Sequence, residues 1–154
     1  MWSSAAITED SAYPPAADAG KVGSYLAAAK AGGGYVWDEV LEYRVWCSPR
    51  LGAGDQMDGS DYYYAFDTCE EAMAFAAATN GAKEPLALIL QREYIDEPAP
   101  GEYRHVQEER VAEWPVAFLA RPRRTGRTIP DFLAPDAPEN RLAILRGEAP
   151  PPGH

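Results

Sequence analysis

Between residues 40 and 47 the chain reads Val-Leu-Glu-Tyr-Arg-Val-Trp-Cys, and these side chains sort into two rows. On an extended backbone Leu41, Tyr43, Val45 and Cys47 point one way, and Val40, Glu42, Arg44 and Trp46 the other. A period of two with one apolar row demands a strand whose apolar face is covered, so the chain must build a sheet with something packed on it. Residues 48–61 carry three glycines, a proline and three aspartates and read as a loop. The ladder resumes at Asp61-Tyr-Tyr-Tyr-Ala-Phe66, and an antiparallel hairpin is the simplest pairing of the two segments.

Thr68-Cys-Glu-Glu71 has the spacing of a capping box, which predicts a helix running to Thr79 and stopped by Asn80-Gly81. Its Ala72, Phe75, Ala76 and Thr79 share one side and are expected to cover the sheet. An unbroken apolar stretch predicts a strand over residues 86–95, a turn over 96–101 and a longer ladder over 103–114. A short helical turn is expected at 116–120. Asp136 can cap a C-terminal helix with Pro138 in its first turn, Leu142, Ile144 and Leu145 as its apolar contacts and Gly147 as its stop. The expected fold is a single α+β domain over residues 38–147, with an antiparallel-rich sheet of about four strands, a capped helix on one face and a late helix. Residues 1–37 read as a flexible Ala/Gly/Pro-rich arm and 148–154 as an extended tail. Within the arm, a short helix over 22–30 closed by Gly32–Gly34 would dock through Tyr25 and Leu26.

The charge excludes some partners. Fourteen Lys and Arg face 24 Asp and Glu among 154 residues, a formal −10, which opposes a general grip on nucleic acid or anionic lipid. The longest apolar run, residues 85–90, falls far short of the roughly 20 residues that cross a bilayer. The N-terminus lacks the charge and apolar core of an export signal, so the expected location is cytoplasmic. Cys47 and Cys69 stand in no CxxC pair and far in sequence from both histidines; the expectation is two reduced, partly buried thiols and no metal.

Against this background Arg121, Arg123, Arg124 and Arg127 crowd a stretch without an acidic residue. Guanidinium forks pair with phosphate or carboxylate, and Gly126 lets backbone amides approach an anion. The alternative is that the arginines neutralise the protein's own acidic sheet or dock its C-terminal segment.

EYRVWC, YYYAF followed by EEAMAF, PLALILQREYIDEP and RPRRTGRTIPDFLAPDAPENRL together resemble a family of small bacterial proteins labelled GCN5-related N-acetyltransferases, over residues 40–147. The resemblance implies a mixed sheet flanked by helices, acetyl-coenzyme A as donor and an amine as acceptor. It makes Arg123, Arg124, Gly126, Arg127 and Thr128 the loop for the cofactor's pyrophosphate, although Pro130 opposes a helix directly after it. Glu93, Glu108, Glu109 and Glu113 are candidate bases and Tyr94 and Tyr103 candidate proton donors, none singled out by spacing. A second resemblance, to small ADP-ribosyltransferases, follows the order Arg44, Tyr62–Tyr64, a helix and a late strand Glu, and implies NAD. The third reading is non-catalytic: a protein-binding or accessory subunit whose arm, carrying Trp2, Tyr13, Tyr25, Tyr35 and Trp37, anchors to a partner.

Overall fold

A computed structural model of the chain describes residues 13–151. Its strands in chain order are β1 (Lys30–Ala31), β2 (Glu39–Cys47), β3 (Tyr62–Phe66), β4 (Leu86–Gln91), β5 (Tyr94–Ala99), β6 (Glu102–Val106) and β7 (Arg110–Pro115). The α-helices are α1 (Cys69–Ala78), α2 (Thr128–Leu133) and α3 (Arg141–Leu145). The expected α+β content is present, but two sheets replace one sheet of four strands. Five strands pair in the order β1-β7-β4-β2-β3, antiparallel throughout except for β1 on β7, and β5 and β6 form a separate antiparallel ribbon.

The two ladders expected to be continuous are each broken. The stretch 86–95 divides at Arg92-Glu93 because the Arg92 amide leaves the sheet to donate to Asp38 Oδ2 at 2.7 Å. The stretch 103–114 divides over 107–109, so β6 stays with the ribbon while β7 joins the main sheet. The turn placed at 96–101 shrinks to its last two residues, since β5 runs on to Ala99.

The hairpin of β2 and β3 forms as the alternation requires, with Val45 opposite Tyr64. A register shift against β4 between Val40 and Glu42 leaves Leu41 as an extra residue. A bulge of this kind turns the chain over by one position, so Val40 joins Tyr43 and Val45 in the main core instead of sharing the row of Glu42 and Arg44. α1 covers that face through Cys69 and Ala72, with Phe75 and Ala76 packed alongside. Its start is capped by Thr68, whose hydroxyl accepts from the Glu71 amide at 3.2 Å. The Glu71 carboxylate meets the Thr68 hydroxyl rather than the backbone amide that a full capping box would use.

A second core gathers Val36, Ile95, Ile129, Phe132 and Leu145, bordered by Tyr35, Tyr94 and Tyr103. The ribbon therefore packs against α2 and α3. α2 is a helix where Pro130 argued against one; the proline sits in the first turn, where a missing N–H breaks no helical bond. α3 starts after Asn140 without a side-chain cap, so Asp136 does not fill the role expected of it.

Of the expected arm, residues 1–12, Trp2 included, lie outside the described residues, as do residues 152–154 of the tail. No helix forms over 22–30: a single 3-10 turn, Ala19–Lys21, is followed by irregular chain and then β1. Of the residues read as partner anchors, Trp37 is buried in the main core and Tyr35 is half-buried against the other core.

Between the two cores the chain passes through Gly32-Gly33-Gly34, which the sequence marked only as a helix stop. Gln91 Nε2, on a fully buried side chain, donates to Gly33 O at 3.1 Å and Val36 O at 2.8 Å. Trp114 Nε1 reaches Gly33 O at 3.0 Å and Arg110 Nη2 reaches Gly32 O at 3.1 Å. Gly34 has φ +83°, and a Cβ there would stand 2.3 Å from Gln91 Nε2. Gly34→Ala should lower unfolding free energy by about 2–4 kcal/mol, combining left-handed strain with overpacking. Gly126→Ala, with nothing within 4 Å of the added carbon, should stay within about 0.5 kcal/mol. Urea unfolding of the two variants measures both.

Candidate functional site

The face of the main sheet opposite α1 carries charge. From β2 come Glu42, Arg44 and Trp46, from β3 Tyr63 and from β7 Glu113. Arg44 Nε donates to Glu42 Oε2 at 2.7 Å and Nη1 to Glu113 Oε2 at 3.0 Å, and Trp46 Nε1 also donates to Glu113 Oε2, at 2.9 Å. The guanidinium lies 4.5 Å over the Tyr63 ring, which itself leans on Trp46 at 4.8 Å between centroids. Arg44 and Glu42 are both 0% exposed. Burial works against the arginine's charge, yet its hydrogen bonds to Glu42 and Glu113 outweigh it and raise its pKa above the ordinary value.

The cover over this cluster is the irregular segment 23–29. Arg44 Nη2 donates to Leu26 O at 2.5 Å and Nη1 to Ala27 O at 2.9 Å; the Tyr63 hydroxyl donates to Tyr25 O at 3.3 Å. The Gly23 amide donates to Glu42 Oε1 at 2.8 Å. Three successive carbonyls are thus drawn inward by sheet side chains, and the Leu26 side chain is left 83% exposed. These bonds explain the missing helix, because a helix over 22–30 would direct the carbonyls along its own axis.

Of the residues in the ADP-ribosyltransferase-like order, Arg44 and Tyr63 meet in this cluster, where Glu113 is a late-strand Glu. Tyr62 and Tyr64 do not; they lie on the other side of β3, edge to face at 6.0 Å, with Tyr64 against Phe75 at 5.0 Å. The donors of Arg44 are directed to Glu42, Glu113 and the strap, and its side chain has no exposed surface.

The arginine loop divides. Arg121 stacks on Trp114 and Phe118, at 4.9 and 4.2 Å. Burial lowers its pKa, with Arg146 adding in the same direction. Arg123 stacks on Trp37 at 4.9 Å. Arg124 grips Asp38, with Nε 2.9 Å from Oδ1 and 3.2 Å from Oδ2, and its amide donates to Trp37 O at 2.8 Å. Arg123 and Arg124 share an open hollow of about 480 Å³ with Asp38, Glu39 and Arg92. Arg127, exposed and paired with Asp131 at 3.3 Å, instead lines a different hollow of about 340 Å³, together with Thr125, Thr128, Phe132, Arg141 and Ile144. Gly126 lines neither. Three loop amides donate inside the loop: Thr125 to Thr128 Oγ1 at 2.8 Å, Arg127 to Thr125 Oγ1 at 3.2 Å and Thr128 to Thr125 O at 3.2 Å. These are donors a pyrophosphate cradle would have to present outward.

The candidate bases and phenols scatter. Glu93 lies in the break between β4 and β5, 2.6 Å from His105 Nε2 and 3.8 Å from Arg124 Nη1. Glu108 and Glu109 are exposed in the break before β7. Tyr94 lies under Arg110 at 4.4 Å, and Tyr103 packs on Tyr35 and Phe132. Sequence reasoning missed Asp38, Arg92 and His105, whose partners are remote along the chain. It also missed Glu42, for which the i, i+2 spacing to Arg44 on one strand row was the available signal. Among the described residues no group of three or more His, Cys, Asp or Glu could hold a metal ion. Cys47 and Cys69 are both buried and not joined to each other, and burial pushes the Cys47 thiol pKa up.

No family model, no curated protein and no solved structure matches this chain.

At the second core the Tyr35 hydroxyl donates to Glu97, which also accepts from the Gly101 amide at 2.9 Å. Burial and then the Glu97 bond raise the Tyr35 phenol to about 12, while the same hydroxyl lowers the Glu97 carboxyl. The raised phenol contributes stability that is full below pH 10 and lost as pH climbs through about 12. The lowered carboxyl contributes stability that is full above its ordinary range and lost as pH falls through its lowered value. Tyr35→Phe should flatten the stability profile at both ends, as measured by urea midpoints across pH. For the buried cluster, Arg44→Met should cost about 3–5 kcal/mol because Glu42 is left charged and unpaired, and Arg44→Met with Glu42→Leu should recover part of that loss. Unfolding the two single variants and the double variant gives the coupling.

Proposed function

We propose that this chain is a non-catalytic protein-binding domain, or accessory subunit, that meets its partner through the segment preceding the sheet. The observation that carries this reading is the strap over Arg44. The strap's hydrogen bonds to the sheet are made by its main chain, which leaves Leu26 outward, and fixing the backbone before binding removes an ordering cost that a free arm would bear. Leu26 is the most exposed of the large apolar side chains named in the described structure, ahead of Leu51, Met57, Met73 and Tyr64. The strap itself, residues 23–29, is uncharged, and Lys21 and Lys30 flank it in a stretch, residues 19–37, that has no acidic residue. Arg121 and Arg124 act in this reading as the clasp between the sheet and the C-terminal helices.

Acyl transfer from acetyl-coenzyme A is the second reading. What favours it is the hollow shared by Arg127 and Thr128, whose apolar walls and few polar groups suit a small ligand. Calorimetric titration with acetyl-coenzyme A, and with NAD in parallel, separates the two. The binding-domain reading expects no saturable heat from either ligand. It also expects a photo-reactive leucine analogue at position 26 to form, in extracts of the native cell, a single adduct that neither Leu51 nor Met57 replacements give and that Lys21→Glu with Lys30→Glu abolishes. Saturable micromolar binding of acetyl-coenzyme A that is lost when Arg123, Arg124 and Arg127 are all changed to Ala would overturn it in favour of the transferase.

A further inference from the structure

The five-stranded sheet ends at β3, and among the described residues no strand lies beyond it. The backbone groups of Tyr62–Phe66 bond to β2 alone, so alternate N–H and C=O groups along the outer side of this strand have no described backbone partner. Such an edge is a template for another strand, and proteins that do not use it place Lys, Pro or an inward charge there. The sequence Tyr-Tyr-Tyr-Ala-Phe has none of these. Its centre, Tyr64, is 39% exposed, and the nearby Met57 is 58% exposed.

The charges around the edge decide what can pair with it. Asp61 and Asp67 flank the strand, Asp55 and Asp58 lie in the preceding loop, and Glu70 and Glu71 open the helix that follows. Asp61 has Lys83 at 3.4 Å; Lys83 and Arg50 are the local counter-charges. A second copy of the chain pairing antiparallel about Tyr64 would set Asp61 opposite Asp67, carboxylate against carboxylate, which is unfavourable for directly opposed residues. An extended segment with basic residues at its ends would meet the same carboxylates as counter-charges.

We infer that β3 is a docking edge for an extended peptide segment of a partner protein. The segment adds as a strand through its main chain, flanked by Lys or Arg and carrying apolar side chains on the Tyr64 side. This is β-strand addition, in which main-chain bonds supply affinity and alternate side chains supply selection. It rests on the binding-domain reading but uses the outer edge and Tyr64 face of β3, whereas the strap meets this strand through the Tyr63 hydroxyl on the other face.

The test uses the full chain and a dye-labelled peptide of alternating Val and Thr with a Lys at each end, read by fluorescence anisotropy. Saturable binding is expected, weakened at least tenfold by replacing the terminal Lys with Glu, by N-methylating alternate peptide amides, or by Tyr64→Lys, and unchanged by Leu26→Asp. Absence of saturation with the Lys-ended peptide, equal binding of the Glu-ended peptide, or full binding to the Tyr64→Lys protein would overturn the inference. Sedimentation showing a dimer that Tyr64→Lys dissolves would also overturn it, giving the edge to a second copy. Acetyl-coenzyme A binding remains the separate readout for the reading beneath.

Discussion

Arg44 is a permanent cation with no exposed surface, and a guanidinium in that position must have its donors satisfied and its charge opposed. Glu42 from the same strand and Glu113 from two strands away supply the charge. They leave donors over, and the carbonyls of Leu26 and Ala27 take them. The position of the strap therefore follows from the burial of one side chain. The segment could not be a helix, and could not drift from the sheet, without leaving part of that guanidinium unbonded in a low-dielectric interior.

The same logic, with weaker charges, joins the two cores. Gln91 uses its amide on Gly33 and Val36 and receives Arg110, so the triple glycine is threaded through a set of side-chain donors. Arg124 ties the C-terminal segment to Asp38, and Trp37 Nε1 returns the contact by donating to Arg121 O at 2.9 Å. The arginines used inside the fold take different partners: Arg44 and Arg124 neutralise partly dehydrated carboxylates, whereas Arg110 bonds the Gln91 amide and a glycine carbonyl. Among the groups left outward are the Leu26 side chain on the strap and the aromatic edge of β3. The proposed binding role rests on these two surfaces.

Much of the main sheet was legible because its information is local. The alternation over Glu42–Cys47 and the Thr68 cap depend on residues within a few positions of one another, and the pairing with β3 joins two segments separated by a single loop; all three stand in the structure. The bulge after Val40 was not legible, because its cause is the register of β4, distant in sequence. The division of 86–95 turns on Asp38 taking the Arg92 amide, and that of 103–114 on the ribbon packing against α2 and α3. Pro130 misled as a helix breaker because only its place in the first turn, set by where α2 begins, makes it harmless. The arginine loop was conspicuous by composition, yet composition could not show that Arg124 faces Asp38 while Arg127 faces another hollow. Arg44 was noted for its position on the strand, but its role required knowing that residues 23–29 lie over it.

The hydrogen exchange of the Arg44 Nε–H, followed by nitrogen-15 NMR of the intact chain, tests most directly whether a buried, doubly paired guanidinium fixes the strap. The structure predicts one arginine side-chain resonance that exchanges far more slowly than the exposed Arg127, persists at mildly alkaline pH, and moves when Glu42 is changed to Gln. An Arg44 Nε–H that exchanges as fast as Arg127 would mean that solvent reaches the cluster, and the strap, with the surface it presents, would not be a fixed part of this fold.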